Sequence, residues 1–374
     1  MGAIIRFVVP STIGRAIGRL SSTINRLEAI ALLMLLTPCL GSLGALVTSQ
    51  GTTTPPSGIT TDGLIATPLF SMSGVGRLAA GQLEFEVTVA DGEADWNAAP
   101  PQDPSWPLHQ IGADIAISKN VTGQSVRIAV IDTGIDYNNP DLKHSYRGGY
   151  DFVNNDDDPY DDNGHGTFVA GVIAGTIDGR KGSLGAAPDI EIYAVKVIGA
   201  DGRGSVRNIV SGVQWAIDHG VQIICMSLSI LRDDPTLRSK LDEAYGRGIL
   251  LVAAAGNTGG KVTYPARYET VIAVGSVDRD DQAAKNSATG PEVEVVAPGV
   301  KIISTVPGGR YAVRSGTSYA AGYATGSLAL LISAHPDLDG EGVRGLLREG
   351  AVDLGAPGRD SQYGYGLVNV AEKV

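Results

Sequence analysis

From Val126 onward the chain repeats one pattern: a short, almost unbroken apolar run, a turn, a stretch with helical spacing, then another run. Parallel strands can be joined only by a crossover, usually a helix lying on a face of the sheet, so this alternation asks for a parallel sheet. The runs are Val126 to Ile131, Ile190 to Val197, Val221 to Ser227, Ile249 to Ala254 and Val271 to Val277. They are mostly continuous rather than alternating, as strands buried on both faces are. Between them, Val206 to His219 gathers Ile209, Val213, Trp215, Ala216 and Ile217 largely on one helical side. Leu237 to Tyr245 behaves similarly, and Gly220 and Gly248 stand where helices end. The expected fold class is α/β: a mostly parallel central sheet with helices on both faces, a three-layer sandwich.

The first third is organised differently. Residues 1–27 carry Arg6, Arg15, Arg19 and Arg26 and no acidic residue, and Ala29 to Leu36 is wholly apolar. Residues 1–48 therefore read as an export signal or, if the apolar run is extended to Val47, as a retained membrane anchor. Either places the protein outside the cell, secreted or held at the extracellular surface. Residues 49–104 form a linker and a short region: Thr48 to Thr61 is rich in Thr, Ser, Gly and Pro, while Gln82 to Ala90 alternates like a strand before the prolines after Ala98. Residues 105–374 make one domain. A net charge of −11 and a pI near 4.9 exclude the basic footprint of a nucleic-acid binder. Two cysteines, Cys39 and Cys225, are too few for a disulfide framework. No pattern signals oligomerisation, so a monomer is expected.

Open parallel sheets bind ligands at the carboxyl ends of their strands. Asp132 follows one apolar run, Asn257 ends another, and Ser318, in Gly316-Thr-Ser-Tyr-Ala320, begins a long apolar helical stretch. His165 lies in Asn163-Gly-His-Gly-Thr, among small residues suited to close packing. A serine hydroxyl is a weak nucleophile until a base takes its proton, and the base needs a carboxylate to fix its tautomer. Asp132, His165 and Ser318 supply one group of each kind. The side-chain amide of Asn257 and the backbone amide of Ser318 are candidate donors to an oxyanion. Taken singly, each residue has a plainer reading: Ser318 a helix cap, His165 a surface histidine, Asp132 and Asn257 turn residues.

Together, in the order Asp, His, Asn, Ser, the four motifs resemble the subtilisin-like serine protease family over the region 105–374, with a thermitase-like branch in the acidic stretch before His165. The resemblance implies a serine endopeptidase that cleaves extended polypeptides through a Ser-His-Asp triad and an acyl-enzyme. It implies that Gly202, Arg203 and Gly204 on one side, and Ser227, Leu228 and Ser229 on the other, pair with the substrate as added strands. The alternative is a non-catalytic scaffold that keeps only the peptide groove, whose hallmark would be a missing triad member. An esterase would carry a Gly-x-Ser-x-Gly elbow, which Gly316 to Ala320 breaks at its last position.

Several positions depart from the family pattern. Tyr319 replaces the usual Met and Phe168 the usual His, which alters packing near the nucleophile. Ser229 and Thr263 stand where glycine is expected in the pocket wall, so a preference for small or medium apolar side chains before the scissile bond is expected. Asn154 to Asp162 holds five carboxylates in nine residues, and Asn154, Asp156, Asp158 and Asp161 are candidate ligands of a structural calcium ion. Asp141 with Asp178, in the Thr176 to Gly182 loop, resembles a second, tighter calcium site of the family. The resemblance also implies a propeptide, for which residues 49 to about 100 are the candidate.

Overall fold

The computed structural model describes residues 86–89, 103–176 and 185–374. The expected signal or anchor, the linker and Asp178 lie outside the described residues. Seven strands form a parallel sheet: β2 (Arg127–Asp132), β3 (Tyr146–Asp151), β4 (Glu191–Lys196), β6 (Ile223–Met226), β8 (Leu250–Ala254), β9 (Val271–Val277) and β10 (Val293–Pro298). Their order is β10-β9-β8-β6-β2-β4-β3, parallel throughout.

The continuous apolar runs follow from two cores, one on each face. Ile128, Val130, Ile223, Cys225, Leu250, Val252 and Ala254 face one core; Ala129, Ile131, Ile224, Met226, Leu251 and Ala253 face the other. A strand sandwiched in this way has no solvent side, so the period-2 alternation disappears. On the first face lie α1 (Trp106–Ile111), α2 (Ala113–Ser118), α3 (His165–Ala174), α6 (Thr317–Ala334) and α7 (Gly340–Gly350); on the second lie α4 (Val206–Asp218) and α5 (Pro235–Gly246). The structure is thus the expected three-layer α/β arrangement.

α6 is buried on every side through Leu331. Its small residues let it pass close to α3: a side chain at Gly322 would come within 3.0 Å of Val172. Among the described residues no helix is long and apolar enough to cross a membrane.

The chain leaves β2 for β3 and β4 on one side of the sheet and then crosses to β6 on the other. The order therefore reverses at β2, and the crevice beyond its carboxyl end, where Asp132 sits, is the place such sheets offer to ligands. Beside that crevice is a second, small antiparallel sheet. β5 (Arg203–Ser205) and β7 (Leu228–Ile230) form its edges, and its central strand is β1 (Glu86–Val89). A hairpin of β11 (Ile302–Val306) and β12 (Arg310–Arg314) completes the strands.

Candidate active site

Asp132 is the last residue of β2 and His165 the first of α3; both are fully buried. The His165 Nδ1 donates to Asp132 Oδ1 at 2.7 Å, and the Thr133 backbone amide donates to the same oxygen at 2.7 Å. The approach of α3 to the turn after β2 is close: a side chain at Gly166 would sit 2.1 Å from the Gly134 carbonyl, so no larger residue is tolerated there. Gly164, just before His165, has φ of 100°, a conformation that glycine adopts without strain.

The buried carboxylate of Asp161 holds this corner together. Its Oδ1 accepts from Thr133 Oγ1 (2.8 Å), Asn163 N (3.1 Å) and Gly164 N (2.8 Å), and its Oδ2 from Thr167 N (2.8 Å) and Thr167 Oγ1 (2.6 Å). One side chain so links the residue after Asp132 to the start of the helix carrying His165. The motif Asp132-Thr-Gly hints at Thr133, but only the fold reveals its partner.

Ser318 lies in the first turn of α6, buried, and is tied to the segment between β6 and β7. Its Oγ donates to the Ser227 carbonyl at 3.4 Å, and Ser227 Oγ donates to the Ser318 carbonyl at 3.0 Å. Asn257 follows β8. Its Oδ1 accepts from Thr317 N at 2.9 Å and from Thr317 Oγ1 at 3.0 Å, which orients the amide so that Nδ2 is the end not engaged by Thr317. Thr317, which sequence reasoning passed over, therefore sets the orientation of Asn257 and directly precedes Ser318.

The groove edges expected to receive a peptide are paired with the chain's own β1. Thr88 lies opposite Arg203 on one side and Ser229 on the other; Val87 lies opposite Gly204 and Ile230; Val89 lies opposite Leu228. Gly202 closes the turn that presents β5, donating its amide to the Gly199 carbonyl at 3.0 Å. Next to Ser229, Thr263 is buried, and the two hydroxyls are 3.0 Å apart. Thr263 Oγ1 also donates to the Ala255 carbonyl at 3.2 Å, and it would lie 3.0 Å from a side chain at Gly256. The wall between β7 and the segment 255–257 is thus bridged by hydroxyls where two glycines would leave a gap.

The two departures near the nucleophile meet. The Phe168 and Tyr319 rings are 4.4 Å apart between centroids, and Tyr319 lies 6.1 Å from the His165 ring. Arg314 stacks over Phe168 at 5.2 Å.

The acidic segment is a poor cage. Asn154, Asp156 and Asp158 are exposed. Asn154 Nδ2 donates to Asp151, Asp156 accepts from the Asp158 amide, and Asp158 accepts from Tyr137. Asp161, with five donors on two oxygens, has no lone pair left for a cation. Among the described residues, no group of three or more His, Cys, Asp or Glu is arranged to hold a metal ion. Asp141 is better suited: it is buried, one oxygen accepts from Tyr311 at 2.5 Å, and its carbonyl accepts from Thr176 N at 3.1 Å where the segment 177–184 begins.

Comparison with known proteins agrees with this geometry. Residues 123–366 match the model of the subtilase family. Alkaline elastase YaB from Bacillus sp. (strain YaB) is 41% identical over 77% of this chain and 74% of its own length. Subtilisin BL from Lederbergia lenta is 41% identical over 72% of this chain and 97% of its own. Subtilisin DY from Bacillus licheniformis is 42% identical over 70% and 94%. With the family model covering most of the chain and two of these relatives matched nearly end to end, the chain belongs to the subtilase family and is a serine endopeptidase.

Proposed function

We propose that Ser318 is the nucleophile, His165 the general base and Asp132 its orienting carboxylate, in an exported endopeptidase that cuts extended polypeptides. The observation that carries this reading is the buried 2.7 Å hydrogen bond between His165 and Asp132, at the end of a groove whose edges already hold an extended strand. Asp132 fixes the tautomer in which Nε2 of His165 takes the serine proton, and stabilises the imidazolium that results. Attack on the scissile carbonyl creates an oxyanion, for which Asn257 Nδ2 and the Ser318 amide are the donors. His165 then protonates the leaving amine, and water, activated by the same base, releases the acyl group.

β1 is read as the end of a propeptide that occupies the groove until it is cut. A chain continuing past Val89 in the same register would set Ala90 opposite Ser227, the residue bonded to Ser318. Cleavage would then fall between Ala90 and Asp91. A small residue before that bond suits a pocket narrowed by Ser229 and Thr263. Structural calcium would be held by Asp141 together with Asp178, tying loops in a protein with one buried free cysteine among its described residues. Polypeptides are its partners, and residues 1–48 direct its export.

The test is hydrolysis of unstructured casein by the purified protein, with labelling by a fluorophosphonate. Activity and label lost together in Ser318→Ala, with the uncut precursor accumulating, is the expected result. A folded native chain that takes no label would overturn the assignment. The amino terminus of the processed protein, read by mass spectrometry, is expected at Asp91.

A further inference from the structure

The central sheet brings three charged residues into one row at its carboxyl end. Asp132 on β2 and Asp151 on β3 are each the register partner of Lys196 on β4, one from either side. Partners across parallel strands carry their side chains on the same face. Both aspartates are fully buried, and Lys196 is 1% exposed. The ammonium donates to the Thr133 carbonyl at 2.7 Å, to the Ile198 carbonyl at 3.0 Å and to Asp162 Oδ1 at 2.7 Å. All three of its protons are used, and one cation fastens the residue after Asp132 to a carboxylate three positions before His165.

Burying an ammonium costs several kcal/mol of hydration, recovered only through such well-made contacts, and a methionine would fill similar space without that cost. The charge therefore contributes something that the aliphatic stem does not. The carboxylates of this corner are the Lys196 register partners Asp132 and Asp151, Asp161 bound to Thr133, Asp136 beyond the β2 turn, all buried, and the ion-pair partner Asp162, which keeps 47% of its side chain in solvent. The other buried cation of this corner is Arg314 on β12, whose Nη2 lies 3.6 Å from where a Gly164 side chain would begin. A positive charge beside His165 opposes the imidazolium, whereas these carboxylates favour it.

We propose that Lys196 is a positioning residue for the Asp132 and His165 pair, and that its charge sets the pH at which His165 takes up a proton. The inference rests on the reading of His165 as the general base. Lys196 keeps the base in its neutral, proton-accepting form at lower pH than the surrounding carboxylates alone would allow, while its three hydrogen bonds hold the loop after Asp132 against the loop before His165.

The experiment compares Lys196→Met, Lys196→Arg and Asp162→Asn. Two quantities are read: the acid limb of kcat/KM against pH on a short chromogenic peptide, and the His165 ring titration by proton NMR in a Ser318→Ala background. Lys196→Met is expected to move both midpoints upward by roughly half a pH unit or more. Lys196→Arg should keep the midpoint of the unaltered protein. Asp162→Asn removes a negative charge and should move both midpoints downward, by less, because that charge is screened by solvent. A purely structural brace would lower activity equally at every pH. Midpoints unmoved in Lys196→Met overturn the inference; if Lys196→Met does not fold, Lys196→Gln, which removes the charge and keeps a hydrogen-bond donor, is read in its place, and an unmoved midpoint there overturns it. Activity that survives His165→Ala would instead overturn the triad reading itself.

Discussion

Phe168 on α3 and Tyr319 on α6 pack ring against ring, with centroids 4.4 Å apart and planes tilted by 47°. Each is a position expected from the sequence to depart from the family pattern, and each is buried beside a proposed catalytic residue: Tyr319 follows Ser318, and Phe168 lies one turn beyond His165. Seen in the sequence they are two separate anomalies, 151 positions apart. Seen in the fold they are a single pair that fills the space between the two helices. A double-mutant cycle through Phe168→Leu and Tyr319→Leu, followed by denaturant unfolding in a Ser318→Ala background, should give a coupling of about 0.5–1.5 kcal/mol. Additive effects would mean that the rings only fill volume.

The hydroxyl bridge between Ser229 and Thr263 should govern substrate choice. Ser229→Gly combined with Thr263→Gly is expected to raise kcat/KM for a peptide with phenylalanine before the scissile bond by about tenfold or more relative to its alanine analogue. An unchanged ratio would place the selectivity elsewhere in the groove.

Chelation tests the Asp141 proposal. Removing calcium should lower the melting temperature, since an ion present at about a hundred times its Kd contributes about 2.7 kcal/mol. Asp141→Asn should melt near the chelated value and no longer respond to added calcium. A native protein whose melting ignores chelator would exclude a calcium site there.

Glu294 lies near the start of β10, at the end of the sheet away from Asp132, and accepts from Arg344 Nε at 2.8 Å, from Arg344 Nη2, and from Arg348 Nε at 2.9 Å. Arg344 and Glu294 are both buried, so Glu294→Gln leaves the guanidinium only the exposed carboxylate of Glu341, 4.0 Å from Nη1, as counter-charge. The expected loss is about 3 kcal/mol in unfolding free energy, with the rate per folded molecule unchanged. A loss below about 1 kcal/mol would show that water or a neighbour compensates.

Burial pushes the Cys225 thiol up to about 11. At pH 8 it is therefore protonated, because a raised value keeps the neutral form well above its usual range. Iodoacetamide should leave Cys225 unmodified in the native protein and alkylate it after unfolding, as peptide mapping would show. Rapid modification under native conditions would mean that the sheet opens at β6.

Much of the fold was legible in the sequence because buried parallel strands have few ways to be written. Val271 to Val277 matches β9 residue for residue, and the other four expected strands lie within three residues of their observed ends. β3 escaped notice because Tyr146–Asp151 holds two adjacent glycines and two charges; as an edge strand it is only partly buried and carries no apolar run. Gln82 to Ala90 had the alternation of a strand, and β1 lies within it, yet nothing local could say that its partners would be β5 and β7, more than a hundred residues away. The same limit hid the brace. Lys196 was readable as part of a strand, but two of its three acceptors, the Thr133 carbonyl and Asp162, come from separate segments that only folding brings to it.

β1 belongs covalently to the molecule whose groove it enters, so dilution cannot loosen it. It meets its partner strands at an effective concentration fixed by the chain that joins them, of order millimolar, and a free peptide of equal intrinsic affinity must exceed that to displace it. If β1 is the end of a propeptide, then, unless an already opened copy cuts its neighbour, the onset of activity follows a first-order clock inside each molecule, running at the same pace in concentrated and in dilute solution.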